Sequence, residues 1–231
     1  MESSLQSSDL LFAVIEFAVL LFSLSVHECA HAWTASRLGD QTARMLGRVS
    51  LNPIDHIDPI GTLLLPGLMI FGPLFGFGGF GRFLFGWAKP VPIMSRNFRN
   101  FKRDDTLVSL AGPASNLLLA IIAFLGLAIL VHAERGMPAT DTPSATLQAL
   151  EMLLPLAFQL NLTLCIFNLI PIPPLDGSHM LRHVLPYNAV QLFDRISGIA
   201  SYILIIFLGR AILGIVMTPI MRLAQSALAH V

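Results

Sequence analysis

The chain has 231 residues, of which 55% are hydrophobic and only 12% charged, with a mean hydropathy of +0.72 and a formal net charge of zero. A soluble domain carries about 25% charged residues, so the composition excludes one and indicates a polytopic membrane protein. Nucleic acid is excluded as a partner on similar grounds, since no excess of cationic side chains is present to neutralise phosphates.

Residues 9–36 read as one long apolar helix that ends where Arg37, Gly39 and Asp40 restore polarity. No basic residue precedes it, so it is expected to remain as a first span and not to be cleaved as a signal peptide. Its second half contains His27-Glu28-Cys29-Ala30-His31, an H-E-x-x-H pattern. On a helix, histidines at i and i+4 share a face and can reach one Zn²⁺, and the glutamate between them can address a water at the metal. Ionisable groups at membrane depth cost about 2.5–3.5 kcal/mol each on insertion scales, a cost met mainly at functional sites. Cys29 and Cys165 read as packing residues, because two cysteines in apolar segments make no disulfide scaffold. Glu16, in the same span, is expected to face a cavity or a neighbouring helix.

Residues 37–58 form a polar connection containing Arg44, Arg48, Asp55, His56 and Asp58. The last three resemble a metal cluster by composition, although short polar loops often collect such residues. From 60 to 80 the chain is apolar and long enough to span, but Gly61, Pro66, Gly67, Gly72, Pro73, Gly76, Gly78 and Gly79 are expected to break or weaken its helix repeatedly. Such a segment is tolerated at membrane depth only under protein cover or beside a wet cavity, so a re-entrant element is expected. A basic, extended region follows up to residue 103, with Lys89-Pro90-Val91-Pro92 at its centre.

A second core helix is expected over 106–131, opening with Gly112-Pro113-Ala114-Ser115-Asn116, whose small residues permit close helix contact. A third, over 146–185, is broken by Pro171-Ile172-Pro173-Pro174-Leu175-Asp176-Gly177. A last membrane segment covers 190–229, as one tilted helix or two short ones, with Arg210 snorkelling or lining an interface. The expected fold is thus an all-α polytopic membrane protein, with a three-helix catalytic core, C-terminal helical segments, and a re-entrant and extended element between the first two core helices.

Charge asymmetry orients it. Nine of fourteen Lys and Arg residues lie between Arg37 and Arg103, whereas the 132–146 loop has one and the N-terminal tail none. The positive-inside rule makes the whole 37–103 region cytoplasmic, which requires 60–80 to enter and leave on one side. The H-E-x-x-H and Asp176 then both fall toward the cytoplasmic ends of their helices.

Two histidines leave a catalytic Zn²⁺ in need of a third protein ligand, with water in the fourth position. Asp176 is the candidate, a carboxylate carried where prolines break a span; its alternative is a plain helix N-cap before Gly177 and Ser178. His179 reads as a supporting or surface residue, because as a fourth ligand it would close the site. Asn116 reads as a packing or supporting amide, with a substrate contact as the other role considered.

The H-E-x-x-H, Gly112-Pro113-x-x-Asn116 and Asn168-x-x-Pro171-x-Pro173-Pro174-Leu175-Asp176-Gly177 together resemble the site-2 protease family of intramembrane zinc metalloproteases. Gly86-Trp87-Ala88-Lys89-Pro90-Val91-Pro92 resembles its compact bacterial and archaeal branch, which lacks a PDZ domain. The resemblance runs from about residue 9 to 186 and leaves 190–231 outside the shared core. It implies one catalytic zinc held by His27, His31 and Asp176, Glu28 as general acid and base, and Asn168 holding substrate or the oxyanion. It further implies a single membrane peptidase domain over 1–231 in a prokaryotic plasma membrane, with its site toward the cytoplasm. The partners are then the bilayer and single-span or signal-peptide-like substrates. Such a substrate must unwind locally, and the extended edge around Val91 is expected to receive it as an added strand. An inactive adaptor that holds transmembrane helices is the competing reading, against which Glu28 stands. A metal transporter would need ligands at several depths. The oligomeric state is not legible.

Overall fold

The computed structural model describes residues 7–76, 86–136, 144–195, 201 and 204–230, and among these every regular element is helical. Helix α1 is Ser7–Arg37, α2 Thr42–Met45, α3 Leu65–Phe71, α4 Phe101–Arg135, α5 Ala145–Asn168, α6 Asp176–Val184, α7 Tyr187–Arg195 and α8 Arg210–His230. Four helices are long and apolar enough to cross a membrane: Ser8–Arg37, Phe101–Arg135, Ala145–Asn168 and Phe207–His230. The protein is an all-α polytopic membrane protein.

Helix α4 packs against both α1 and α5, which also touch each other, while α8 packs on α5. The layers are joined by small and apolar side chains. Ala120 and Ala123 of α4 meet Phe158 and Leu162 of α5, with Met217, Ile220 and Met221 of α8 against them. Outward-facing Leu118, Ile122, Leu125 and Ile129 of α4 are exposed, as expected of a surface whose solvent is lipid. The start of α4 is closed by reciprocal capping: the Asn100 side chain accepts from the Arg103 amide, and Asp104 accepts from the Asn100 amide at 2.8 Å.

The described part of the glycine- and proline-rich segment is helical but divided into three short pieces of different pitch, in keeping with a helix weakened repeatedly along its length. Residues 59–75 run as a π-helical turn (Pro59–Leu64), then α3, then a 3-10 turn (Gly72–Phe75). Each proline sits in the first turn of one of these pieces, where a backbone N–H would have no intrahelical acceptor, so the prolines change the pitch without ending the helix. Asp58 starts the segment by accepting from the Ile60 and Gly61 amides at 3.0 and 2.7 Å. Its far end packs on α1, with Phe71 edge-on to Phe17. The chain then returns to its starting point, for the Trp87 amide donates to the Gly61 carbonyl at 3.0 Å. Both glycines are needed there: a Cβ on Gly61 would strike the Trp87 ring, and one on Gly86 the Gly61 carbonyl. The expected re-entrant stretch from 77 to 80, and residues 81–85 after it, lie outside the described residues.

From Gly86 to Met94 the chain is non-helical and forms a strap tied to the end of α1 through Glu28 and Asp40. Asp55, His56 and Asp58 do not form a converging metal-ligating group among the described residues. Asp58 is a helix cap, and His56 is buried with its ring on the Ser50 carbonyl at 2.8 Å and its own carbonyl accepting from the Lys89 amide at 2.9 Å. At the C-terminal end, α7 and α8 are separate helices, with residues 196–200, 202 and 203 outside the described residues. Arg210 opens α8; its side chain is likewise outside the description.

Candidate metal centre

His27 and His31 lie one turn apart on α1, on the face turned to α4, and are 5% and 7% exposed. Asp176 is the first residue of α6, reached from the end of α5 through the turn 169–175, in which the Pro173-Pro174 bond is cis. The chain turns tightly here, and a Cβ on Gly177 would collide with the Leu169 and Ile170 carbonyls. This packing sets the Asp176 carboxylate against both histidines. Its Oδ2 is 3.2 Å from His27 Nε2 and 3.4 Å from His31 Nε2, and the two Nε2 atoms are 3.0 Å apart.

The outer hydrogen bonds decide what these atoms offer. His31 Nδ1 lies 2.7 Å from the Val108 carbonyl, which can only accept, so Nδ1 carries the proton and neutral Nε2 presents a lone pair. His27 Nδ1 is 2.6 Å from Asn116 Oδ1. The Asn116 amide is oriented by its other end, whose Nδ2 donates to the Ser23 carbonyl at 3.3 Å and to Asn161 Oδ1 at 3.0 Å. Asn161 in turn donates to the Ala157 carbonyl at 2.9 Å. His27 must therefore also donate from Nδ1. Three acceptors, two imidazole nitrogens and a carboxylate oxygen that is buried without a hydrogen-bond donor, converge on one point.

That arrangement suits a cation. A tetrahedral Zn²⁺ with bonds of about 2.0–2.1 Å separates its ligand atoms by roughly 3.3 Å, close to the triangle observed, and His₂-carboxylate is a zinc donor set. His27, His31 and Asp176 are also the one group of potential metal-ligating side chains that converges among the described residues. Gly112 makes room for it: a Cβ there would strike both Nε2 atoms. Glu28, half-buried on the next position of α1, accepts a hydrogen bond from the Val91 amide of the strap at 3.2 Å.

The matching family model is that of Peptidase family M50, over residues 15–209. The chain belongs to Peptidase family M50. It is accordingly a metalloprotease of the site-2 protease group. Among curated proteins it is 41% identical over 167 residues to the "Putative zinc metalloprotease YwhC" of Bacillus subtilis, covering 72% of this chain and 67% of that one. Proteins designated Rip2 under the same description match from Mycobacterium tuberculosis, at 33% over 202 residues (87% of this chain, 69% of the relative), and Mycolicibacterium smegmatis, at 32% over 174 residues (75% and 58%). The chain thus spans roughly two thirds of the length of these relatives. No solved structure matches it.

Within this M50 chain the remaining sequence candidates fall as follows. Asn116 is 0% exposed and hydrogen-bonded to His27, Ser23 and Asn161, so it orients His27 and is buried away from the surface. Val91 also differs from expectation, as its N–H is taken by Glu28 and is not free for an added strand. Asn168 ends α5 with its amide donating to the Leu164 carbonyl at 3.0 Å. His179 is largely exposed, its ring nitrogen 3.6 Å from Asp105; that carboxylate raises its pKa above the usual histidine value, against the opposing effect of burial. Three contributors went unrecognised in the sequence: Asn161, the Val108 carbonyl and Asp40. Asn161 had a signal, being an amide inside an apolar span. A backbone carbonyl has none.

Proposed function

We propose that this metalloprotease is an intramembrane zinc endopeptidase, hydrolysing peptide bonds within or near transmembrane segments of membrane-protein substrates, with its site toward the cytoplasmic face of a prokaryotic plasma membrane. The observation that carries this reading is the convergence of His27 and His31, inside a helix of membrane-spanning length, with Asp176 at the start of the short helix that follows another such helix. His27 and His31 lie ten and six residues before Arg37, about 15 and 9 Å from the basic end of α1 at 1.5 Å per residue. That end also carries Arg44, Arg48, Lys89, Arg96 and Arg99, which supports the cytoplasmic assignment. Cysteine labelling that reached positions near Arg99 only from outside the cell would reverse the orientation.

His27, His31 and Asp176 would hold the zinc. When bound, it supplies Lewis-acid polarisation of the scissile carbonyl and lowers the pKa of water toward about 7. Val108 and Asn116 keep both imidazoles in the tautomer that presents Nε2. Glu28 takes the proton from the attacking water and returns it to the leaving nitrogen as the C–N bond breaks. Asn168 is the candidate amide for the developing oxyanion; it would have to leave the Leu164 carbonyl to act. A helical substrate has its carbonyls hydrogen-bonded, so it must unwind locally beside the site.

The test uses purified protein, reconstituted with a single-span substrate, comparing wild type with Glu28→Gln and measuring zinc in both. Cleavage by wild type alone, with zinc retained in both, is expected. A zinc-loaded wild type that binds the substrate and never cleaves it would move the assignment to the adaptor reading.

A further inference from the structure

Arg48 is a buried arginine with no carboxylate partner among the described residues. Its Nη2 donates to two strap carbonyls, that of Lys89 at 2.7 Å and that of Pro90 at 3.4 Å. The Pro90 carbonyl and the Val91 N–H are opposite ends of one planar trans peptide group. The N–H end meets Glu28 Oε2 at 3.2 Å. A guanidinium and a carboxylate thus grip the two poles of a single peptide dipole, an arrangement in which each hydrogen bond polarises the other. The strap has no helix to set this plane. Its other anchors, Trp87 to Gly61, Lys89 to His56 and Met94 to Asp40, lie on either side of the 90–91 peptide and do not touch it.

We infer that Arg48 is a positioning residue for proteolysis: by clamping the Lys89 and Pro90 carbonyls it fixes the Val91 N–H, which in turn fixes the carboxylate of Glu28. The inference rests on the reading of Glu28 as general base. It assigns the strap a catalytic duty besides any contact with substrate. Misplacement of a reacting group by about 1 Å costs up to two orders of magnitude in rate, so loss of the clamp acts on turnover and leaves substrate affinity alone.

The experiment measures kcat, KM and zinc content for the full chain in bilayers with a single-span substrate. Arg48→Met is expected to lower kcat by at least about tenfold with KM and zinc unchanged, and Arg48→Lys, which keeps one cationic donor, to recover part of it. Val91→Pro deletes the N–H in a non-helical, proline-flanked backbone and should lower kcat to a similar extent. The double variant should be no slower than the slower single one, because both break the same linkage. Multiplying effects in the double variant would overturn the inference, as would a rise in KM at unchanged kcat, which would mark the strap as a substrate contact only. Should Arg48→Met fail to fold, wild-type kcat in both Arg48→Lys and Val91→Pro overturns it. Activity retained in Glu28→Gln would instead sink the general-base reading, a separate failure.

Discussion

The two sides of this site are built on different principles. On the ligand side, His27, His31 and Asp176 are carried on helices, packed against a helix stripped to glycine at Gly112, and held by buried amides and a carbonyl. On the strap side, the contact to Glu28 comes from non-helical backbone, positioned by Arg48 and by Asp40. Asp40 is 0% exposed and accepts from the Thr42 amide and hydroxyl, the Asn97 amide and the Met94 N–H. The ligand side is limited by packing at Gly112, whereas the strap side depends on a few hydrogen bonds to the charged side chains of Glu28, Arg48 and Asp40. A metal needs fixed distances, and helices provide them; the strap has no helix of its own and is held only at discrete points.

The sharpest way to break this contrast is Gly112→Ala. The added Cβ would overlap both Nε2 atoms, so zinc content should fall close to zero and cleavage by more than about 100-fold. A variant that keeps stoichiometric zinc would show the helix contact to be looser than the ligand side requires. Asn116→Ala should come next, weakening zinc affinity about 10–100-fold, as loss of a ligand's hydrogen-bond partner commonly does. Competition with a chelator measures it, and an unchanged affinity would mean that Asn116 serves packing alone.

On the strap side the handle is pH. Burial by itself would raise the Asp40 pKa, but the hydrogen bonds from Thr42, Asn97 and Met94 outweigh it and hold it below the usual carboxylate value. The folded pKa is thus the lower one, so the stabilisation is fully present above about pH 4 and is lost as pH falls through the folded value. Melting followed down to about pH 3 should show an acid-side loss that Asp40→Asn lacks; identical acid limbs would remove Asp40 as the cause. The smallest effect is expected outside both regions. Arg182 pairs with Asp194 through two hydrogen bonds between half-exposed side chains, and Arg182→Ala should cost no more than about 1 kcal/mol in a melt.

The legible part of this protein was the part written in local periodicity. Two histidines four residues apart, apolar runs of spanning length and a proline-broken aspartate are all visible without coordinates, since each depends on helix geometry or on the cost of burying polar groups. The prolines of residues 59–75 signal an interrupted helix, but the type of each piece depends on which proline falls in which first turn, a matter of register that composition does not carry. Asp40 read only as the end of a helix, and Arg48 as one more cytoplasmic charge.

The candidate ligands, the apolar runs of spanning length and the charge asymmetry were thus legible in the sequence alone. Tertiary structure decided which partners those residues meet: Asn161 behind Asn116, the Val108 carbonyl behind His31, Gly61 beside Trp87 and Arg48 behind the Val91 amide. These pairs join residues remote in the chain, several of them through backbone groups that every residue possesses. Nothing in a side-chain pattern marks a carbonyl as chosen; only packing brings it to its partner.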